Sequence, residues 1–335
     1  MKAHGILRTA LTAALSAVLL LPAAGAAATG TAAEEAPSYT LTQRGEPFPL
    51  RAWGQVVELG EASLTLENSD SSDAYQKLVV NVGEDTRILD AVTGEARSFA
   101  DIRQGETVYV WAGPEMTKSL PPITTARLLL CGLPDGGIAP TYAEVQRVTR
   151  TEEGLEVYVT GEVVLRLNSE TQLLAPPGGG EVSLEDIVPG TRLLSWYNIT
   201  TMSLPAQAAP TQVMVFPTAY SGWVSAQGLA VSLNGQALDL TGAQAPRVEE
   251  GRLLVPVRAM AEALGCTVTW EPYTGQVVVS RADTECYRFT IGQSQAALGD
   301  VTVGLVLPTR AEEGVTFLAL DDLIVLHGLK LETGF

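Results

Sequence analysis

Apolar and polar positions alternate along most of this chain in short runs broken by Gly, Pro, Asn and Asp, the period-two pattern of strands buried on one face. In the first part of the chain such runs fall near 54–58, 62–67, 77–82, 106–111 and 124–130. Between the third and fourth lies Ser98-Phe99-Ala100-Asp101-Ile102-Arg103-Gln104-Gly105, which predicts a Ser-capped helical turn closed by Gly. The same order of elements returns from about 143 to 216. Displacing the chain on itself by 85 residues (196 − 111 = 85) aligns Leu78 to Trp111 without a gap. Thr86 falls on Thr171, Leu89 on Leu174, Ser98 on Ser183, Asp101-Ile102 on Asp186-Ile187, Gly105 on Gly190 and Trp111 on Trp196. Beyond it, Ser119-Leu120-Pro121 answers Ser203-Leu204-Pro205. One domain has been duplicated, and three strands, a helical turn and two strands is the order of an OB-type barrel. The expectation is two tandem five-stranded OB-like barrels, over 53–130 and 143–216.

After about residue 217 the period changes. Val231-Ser232-Leu233-Asn234-Gly235 predicts a strand entering an Asn-Gly hairpin turn. In Gly251 to Gly265 a strand runs into a short helix, with Pro256 at its first position and Gly265 as its cap. Val257, Met260, Ala261 and Leu264 at i, i+3, i+4 and i+7 form its buried stripe. Two further strands follow, around Cys266 to Trp270 and Gln276 to Ser280, so the unit is α+β.

Over residues 228–335 these features resemble the copper amine oxidase N-terminal (stalk) domain family, on Asn234, Gly235, Gly251, Arg252, Val255, Pro256, Arg258, Glu262, Gly265 and Trp270. A second, altered copy lies 63 residues on (314 − 251 = 63). There Gly314 and Gly328 keep the pattern, and Ala319, Asp321, Val325 and Thr333 replace the Pro, Arg, Glu and Trp. The resemblance implies an accessory module that stands apart from catalysis. The oxidase site itself needs three His ligands and a Tyr preceded by Asn. Apart from His4 the chain has only His327, and none of its nine tyrosines follows an Asn. The whole chain is thus expected to be mainly β with an α+β C-terminal domain: two tandem five-stranded OB-like barrels followed by a copper amine oxidase N-terminal-like domain.

Composition and the N-terminus narrow the function. Lys2, His4 and Arg8 precede an apolar run from Ala10 to Leu21 and the small residues Ala24-Gly25-Ala26, the three-part pattern of a signal peptide over 1–26. That run is shorter than the roughly 20 residues a membrane span needs, so export without an integral membrane anchor is expected, with 27–52 as a linker. A bacterial, acidic protein is implied. Its net charge of −17, from 38 acids against 21 bases, excludes nucleic acid as a partner, because that binding rests on clustered cations. Three cysteines, Cys131, Cys266 and Cys286, are too few for a disulfide framework. Cys266 and Cys286 are expected two strands apart, beyond disulfide reach, leaving three free thiols.

Candidate chemistry is sparse. Trp111 and Trp196 end the fourth strand of each barrel, where an aromatic either stacks on a sugar ring or closes the core. Asn68 to Asp73 reads as a solvated turn, since it lacks the spacing of a calcium loop. Glu152-Glu153, Glu249-Glu250, Glu312-Glu313 and Asp321-Asp322 read as solvated surface, adjacent residues facing apart. His327 takes the place of Leu264 in the second copy and is expected to be a satisfied core histidine. Arg258 is placed to pair with Glu262 and to reach a backbone carbonyl or acid of a neighbouring element, or Asp321 if the two helices pack together. No catalytic, cofactor-binding or metal-ligating residue is assigned, and no cofactor is implied. The function expected is an exported, non-catalytic binding or scaffold protein of the cell envelope, meeting cell-wall polysaccharide or a surface protein. The alternatives are a structural spacer for a partner protein, or an accessory part of an extracellular enzyme. Limited proteolysis is expected to cut first within 131–142 and 217–227; cleavage spread evenly through 78–111 and 163–196 would count against compact repeats.

Overall fold

In the computed structural model, residues 38–44, 48–70, 72–73 and 75–333 are described; the signal peptide expected over 1–26 and residues 27–37 and 45–47 of the expected linker lie outside them. Among the described residues no helix is long and apolar enough to cross a membrane.

The alternating runs of the first copy form β1 (Leu50–Leu59), β2 (Ser63–Glu67), β3 (Lys77–Asn81), β4 (Arg87–Asp90), β5 (Thr107–Met116) and β6 (Ile123–Cys131). Strands β1, β2 and β3 make an antiparallel meander, β5 pairs with β1 and with β6, and β3 meets β6 in parallel. That last pairing closes a five-strand ring in OB order, with β4 an extra parallel strand beside β6. β1 serves two neighbours by coiling sharply. At Gly54 a Cβ would lie 2.9 Å from the Glu67 carbonyl carbon, so only glycine lets β2 approach. The interior is filled by alternate positions such as Val56, Leu64, Leu66, Leu78, Val80 and Val110. The predicted helical turn is a single 3₁₀ turn, Phe99–Asp101, where Ser98 donates both its backbone N–H and its hydroxyl to Asp101 (2.8 Å each).

The second copy repeats this plan in β7 (Thr141–Thr151), β8 (Gly154–Val159), β9 (Val163–Leu167), β10 (Gln172–Leu174), β11 (Arg192–Trp196), β12 (Ala206–Ala208) and β13 (Gln212–Phe216). Its 3₁₀ turn, Leu184–Asp186, carries the same Ser183–Asp186 box. One difference has a local cause. Where copy one has Ala126 inside β6, copy two has Pro210, which has no N–H to give the ladder. The last strand is therefore split: β12 takes the parallel place beside β9, and β13 pairs with β11.

The C-terminal domain begins at β14 (Gly222–Gln227), ahead of residue 228 where the resemblance starts. Most of the expected 217–227 linker is thus strand, paired in parallel with β26 (Leu329–Leu331) and antiparallel with β15 (Ala230–Leu233). Asn234 and Gly235, both at positive φ (51° and 76°), turn β15 into β16 (Gln236–Ala237) as predicted. Then come β17 (Arg247–Glu249), β18 (Arg252–Pro256), α1 (Val257–Ala263), β19 (Thr267–Glu271), β20 (Gln276–Arg281), β21 (Thr284–Thr290), β22 (Gln295–Leu298), β23 (Val301–Gly304), β24 (Arg310–Glu312), β25 (Val315–Ala319) and α2 (Leu320–His327). The helix α1 ends where Gly265 donates to the Glu262 carbonyl and Cys266 to that of Ala261 (2.9 Å each), a two-bond cap that needs the left-handed glycine. The two sequence copies meet as β18 and β25, which pair antiparallel with Val255 opposite Leu318.

Barrel two and this domain are joined by a buried ion pair. Lys330 Nζ lies 2.7 Å from Glu144 Oε1, their side chains 5% and 6% exposed, and Arg192 approaches the other carboxylate oxygen at 3.4 Å. Thr333 adds two bonds to Gln146. Removing one member strands a buried charge, whereas replacing both with apolar residues does not. Lys330→Ala is expected to cost about 2–4 kcal/mol in chemical denaturation, and Glu144→Leu combined with Lys330→Met to recover most of it. Additive losses in the double variant would show that the pair is not coupled.

Candidate functional site

The two repeated tryptophans lie at the junction of the barrels. Trp111 is 1% exposed, packed with Leu128 and Leu130 of its own barrel and Leu194, Met214 and Phe216 of the other. Its ring meets Tyr142 edge-on, centroids 5.5 Å apart, and Tyr142 meets Phe216 the same way at 5.3 Å. Of its two readings, core closure holds for Trp111 and sugar stacking does not, because its face is covered by the second barrel. Trp196 is partly exposed. Its indole N–H donates to the Ala91 carbonyl of barrel one (2.8 Å), and Gly94 at φ 76° leaves room for its ring.

Beside Trp196 a groove of about 880 Å³ runs between the barrels. Its apolar lining includes Val92, Leu133, Ile138 and Ile199, and its polar groups Asn198, Thr201, Gln207 and Thr211. Ile138 and Ile199 stand at its mouth, 59% and 82% exposed. An aromatic floor held by a hydrogen bond, apolar walls and a few neutral donors and acceptors suit a neutral polyhydroxylated ligand. A tip of each barrel repeats too: the Ser119 and Ser203 hydroxyls donate to the carbonyls of Pro121 and Pro205 (2.8 Å each), and Leu120 and Leu204 stand almost wholly in solvent. A second cleft, of about 380 Å³, lies in the C-terminal domain and is lined by Arg258, Val268, Trp270, Val277 and Ile291.

The charged residues sort differently from the sequence reading. Asp321 and Asp322 are wholly buried rather than solvated. Residues 38–44 cross the C-terminal domain and cover them: the Thr42 N–H donates to Asp321 Oδ1 (2.9 Å), and Arg44 pairs with Asp322 (3.0 Å). Arg252 also reaches Asp321 Oδ1 (3.2 Å), and the Val306 N–H donates to Asp322 (3.0 Å). Burial raises the Asp322 carboxyl to about 6 against the pull of the Val306 N–H and Arg44. The pairing of Arg258 with Asp321 does not occur, since Arg252 holds that position. Arg258 instead meets Glu262 (3.4 Å) and donates to the Val268 carbonyl at the edge of β19 (2.9 Å), the backbone contact expected of it. Asn68 caps its own turn, accepting from the Asp70 N–H and donating to Asp73. Among the described residues no cluster of His, Cys, Asp and Glu forms a metal site.

His327 is a buried core residue, its Nε2 2.8 Å from the Tyr287 hydroxyl. The three cysteines are free thiols, as expected, with Cys131 and Cys266 buried and Cys286 part-buried; β20 lies between the strand that follows Cys266 and the strand that carries Cys286.

With this geometry in view, residues 232–332 match the family model described as the copper amine oxidase N-terminal domain, a non-catalytic stalk in those oxidases. No curated protein and no solved structure matches the chain.

Burial, and after it the positive charge of Arg281, lowers the His327 pKa to about 4. The unfolded chain takes up this proton near pH 6.5 and the folded one only near 4, so stability is lost as pH falls through that window. Asp322, raised to about 6, works in the opposite direction and partly offsets the loss. The stability difference between wild type and His327→Gln should therefore shrink by about 2–3 kcal/mol between pH 7 and 4.5. A difference independent of pH in denaturant titrations would show that His327 is not held neutral.

Proposed function

We propose that the protein is an exported, non-catalytic binding module of the cell envelope, and that the inter-barrel groove beside Trp196 takes a segment of neutral wall polysaccharide. The observation that carries this reading is the groove itself: two duplicated barrels packed so that one repeated tryptophan is sealed and its counterpart faces a cleft. The signal-like N-terminus and the acidic surface agree with an extracytoplasmic protein that does not bind polyanions. The match to a stalk domain supports an accessory role. A second reading, a spacer for a partner protein, is favoured by the Lys330–Glu144 pair, which joins barrel two firmly to the C-terminal domain.

The test is retention on purified, uncharged wall polysaccharide, followed by intrinsic fluorescence titration. Trp196→Ala and the exposed-mouth variant Ile199→Asp should each weaken binding about tenfold, the ~1.4 kcal/mol expected of one aromatic or apolar contact. Ile199→Asp should leave the melting temperature unchanged, which separates lost contact from lost fold. No retention of the wild-type chain, or unaltered affinity in both variants, rejects the carbohydrate reading and leaves the spacer.

A further inference from the structure

The cleft of about 380 Å³ in the C-terminal domain lies on a sheet face that is only partly covered. Trp270 stands opposite Val277 in the β19–β20 ladder and two residues from Val268, so the three side chains share that face. The helix α1 packs on β19, yet its seven residues span only about 10 Å at roughly 1.5 Å each. Val277 is sealed, while Trp270 stays 46% exposed and borders the cleft, with Val257 and Ile291 as further apolar wall. Arg258 is the one charged residue lining it. In a chain of 38 acids and 21 bases, no acid does. Strand β19 is a sheet edge, paired with β20 alone, and its Val268 carbonyl accepts from Arg258 Nη1 (2.9 Å), which also meets Glu262 at 3.4 Å. Both contacts use that one nitrogen. Among the described residues Nε and Nη2 donate to nothing, so the guanidinium is anchored with its forked edge unused.

We infer that this cleft is a binding site for a small organic carboxylate with an aromatic or branched apolar body. The carboxylate accepts from the Nε and Nη2 edge of Arg258, the two-bond geometry that a guanidinium matches. The body of the ligand lies between Trp270 and the wall of Val257, Val277 and Ile291. Its size falls at the small end of ligand pockets, which run from roughly 300 to 1,000 Å³. One guanidinium serves one carboxylate, and the acidic surface around it repels larger anions. Glu262 competes for the same cation, but both side chains of that pair are half exposed, so the competition is weak. The site shares no lining residue with the inter-barrel groove and does not depend on the carbohydrate reading.

The test titrates the full chain with 3-phenylpropionate, and separately with its uncharged amide, by calorimetry. The indole N–H signals of the five tryptophans are followed by NMR. The acid should bind saturably, with the millimolar Kd of so small a ligand, and the amide should bind about tenfold more weakly. The Trp270 signal, identified by its loss in Trp270→Leu, should shift. Arg258→Gln should weaken the acid about tenfold and the amide little. Glu262→Gln, which frees the guanidinium, should bind the acid about two- to fivefold more tightly. Damage to a merely structural ion pair would do the opposite. Should Arg258→Gln melt early, the acid–amide comparison on wild type and the sign of the Glu262→Gln effect decide. No saturation, equal affinity for acid and amide, or a signal shift confined to another tryptophan would each overturn the proposal. So would unchanged acid binding in folded Arg258→Gln, or no tightening in Glu262→Gln.

Discussion

Burial of one aromatic face against another holds the first two domains in a fixed relation. A small barrel has an inner face that fills itself and an outer face that water must accept or a neighbour must cover. In both repeats the outer face beside the last strand is apolar, carrying Leu89, Trp111, Leu128 and Leu130 in one and Leu194, Met214 and Phe216 in the other. Tyr142, at the start of β7, fills the seam and stacks edge-on against Trp111 and Phe216. Left apart, each barrel would expose a contiguous hydrophobic patch; joined, they leave the Trp196 groove as their open margin.

The C-terminal domain is fastened by charges placed where water cannot reach them. Lys330 and Glu144 are both almost wholly buried, so their attraction is little screened and their separation would be costly. Asp321 and Asp322 follow the same logic within the domain. Residues 38–44, which precede the barrels in sequence, return to the last domain and supply the Thr42 N–H and the Arg44 guanidinium. Adjacent on a helix, the two carboxylates point to different partners and do not share one site, which makes them structural anchors and not an acid-base pair. The last domain is thus tied both to residues 38–44 and to barrel two.

Among the described residues the one histidine, His327, is buried and bonds to Tyr287 of the last domain's core. Exposed apolar side chains on this otherwise acidic surface include Ile138 and Ile199 at the groove mouth and the duplicated leucine tips.

Much of this was legible in the order of residues. The strand runs, the Ser-capped turns, the Asn-Gly hairpin and the glycine cap of α1 are set by neighbours a few positions apart, whose preferences act before any tertiary contact exists. The duplication and the core place of His327 came from register within the chain. What remained hidden involves partners far apart in sequence. Trp111 and Trp196 look equivalent in sequence, yet packing seals one and leaves the other at a groove. Asp321 and Asp322 look like surface acids until residues 38–44 fold over them. Local pattern by itself determined the elements and their order; only the tertiary structure decided which faces meet and which charges are brought together, because those depend on distant contacts that leave no periodic trace in the chain.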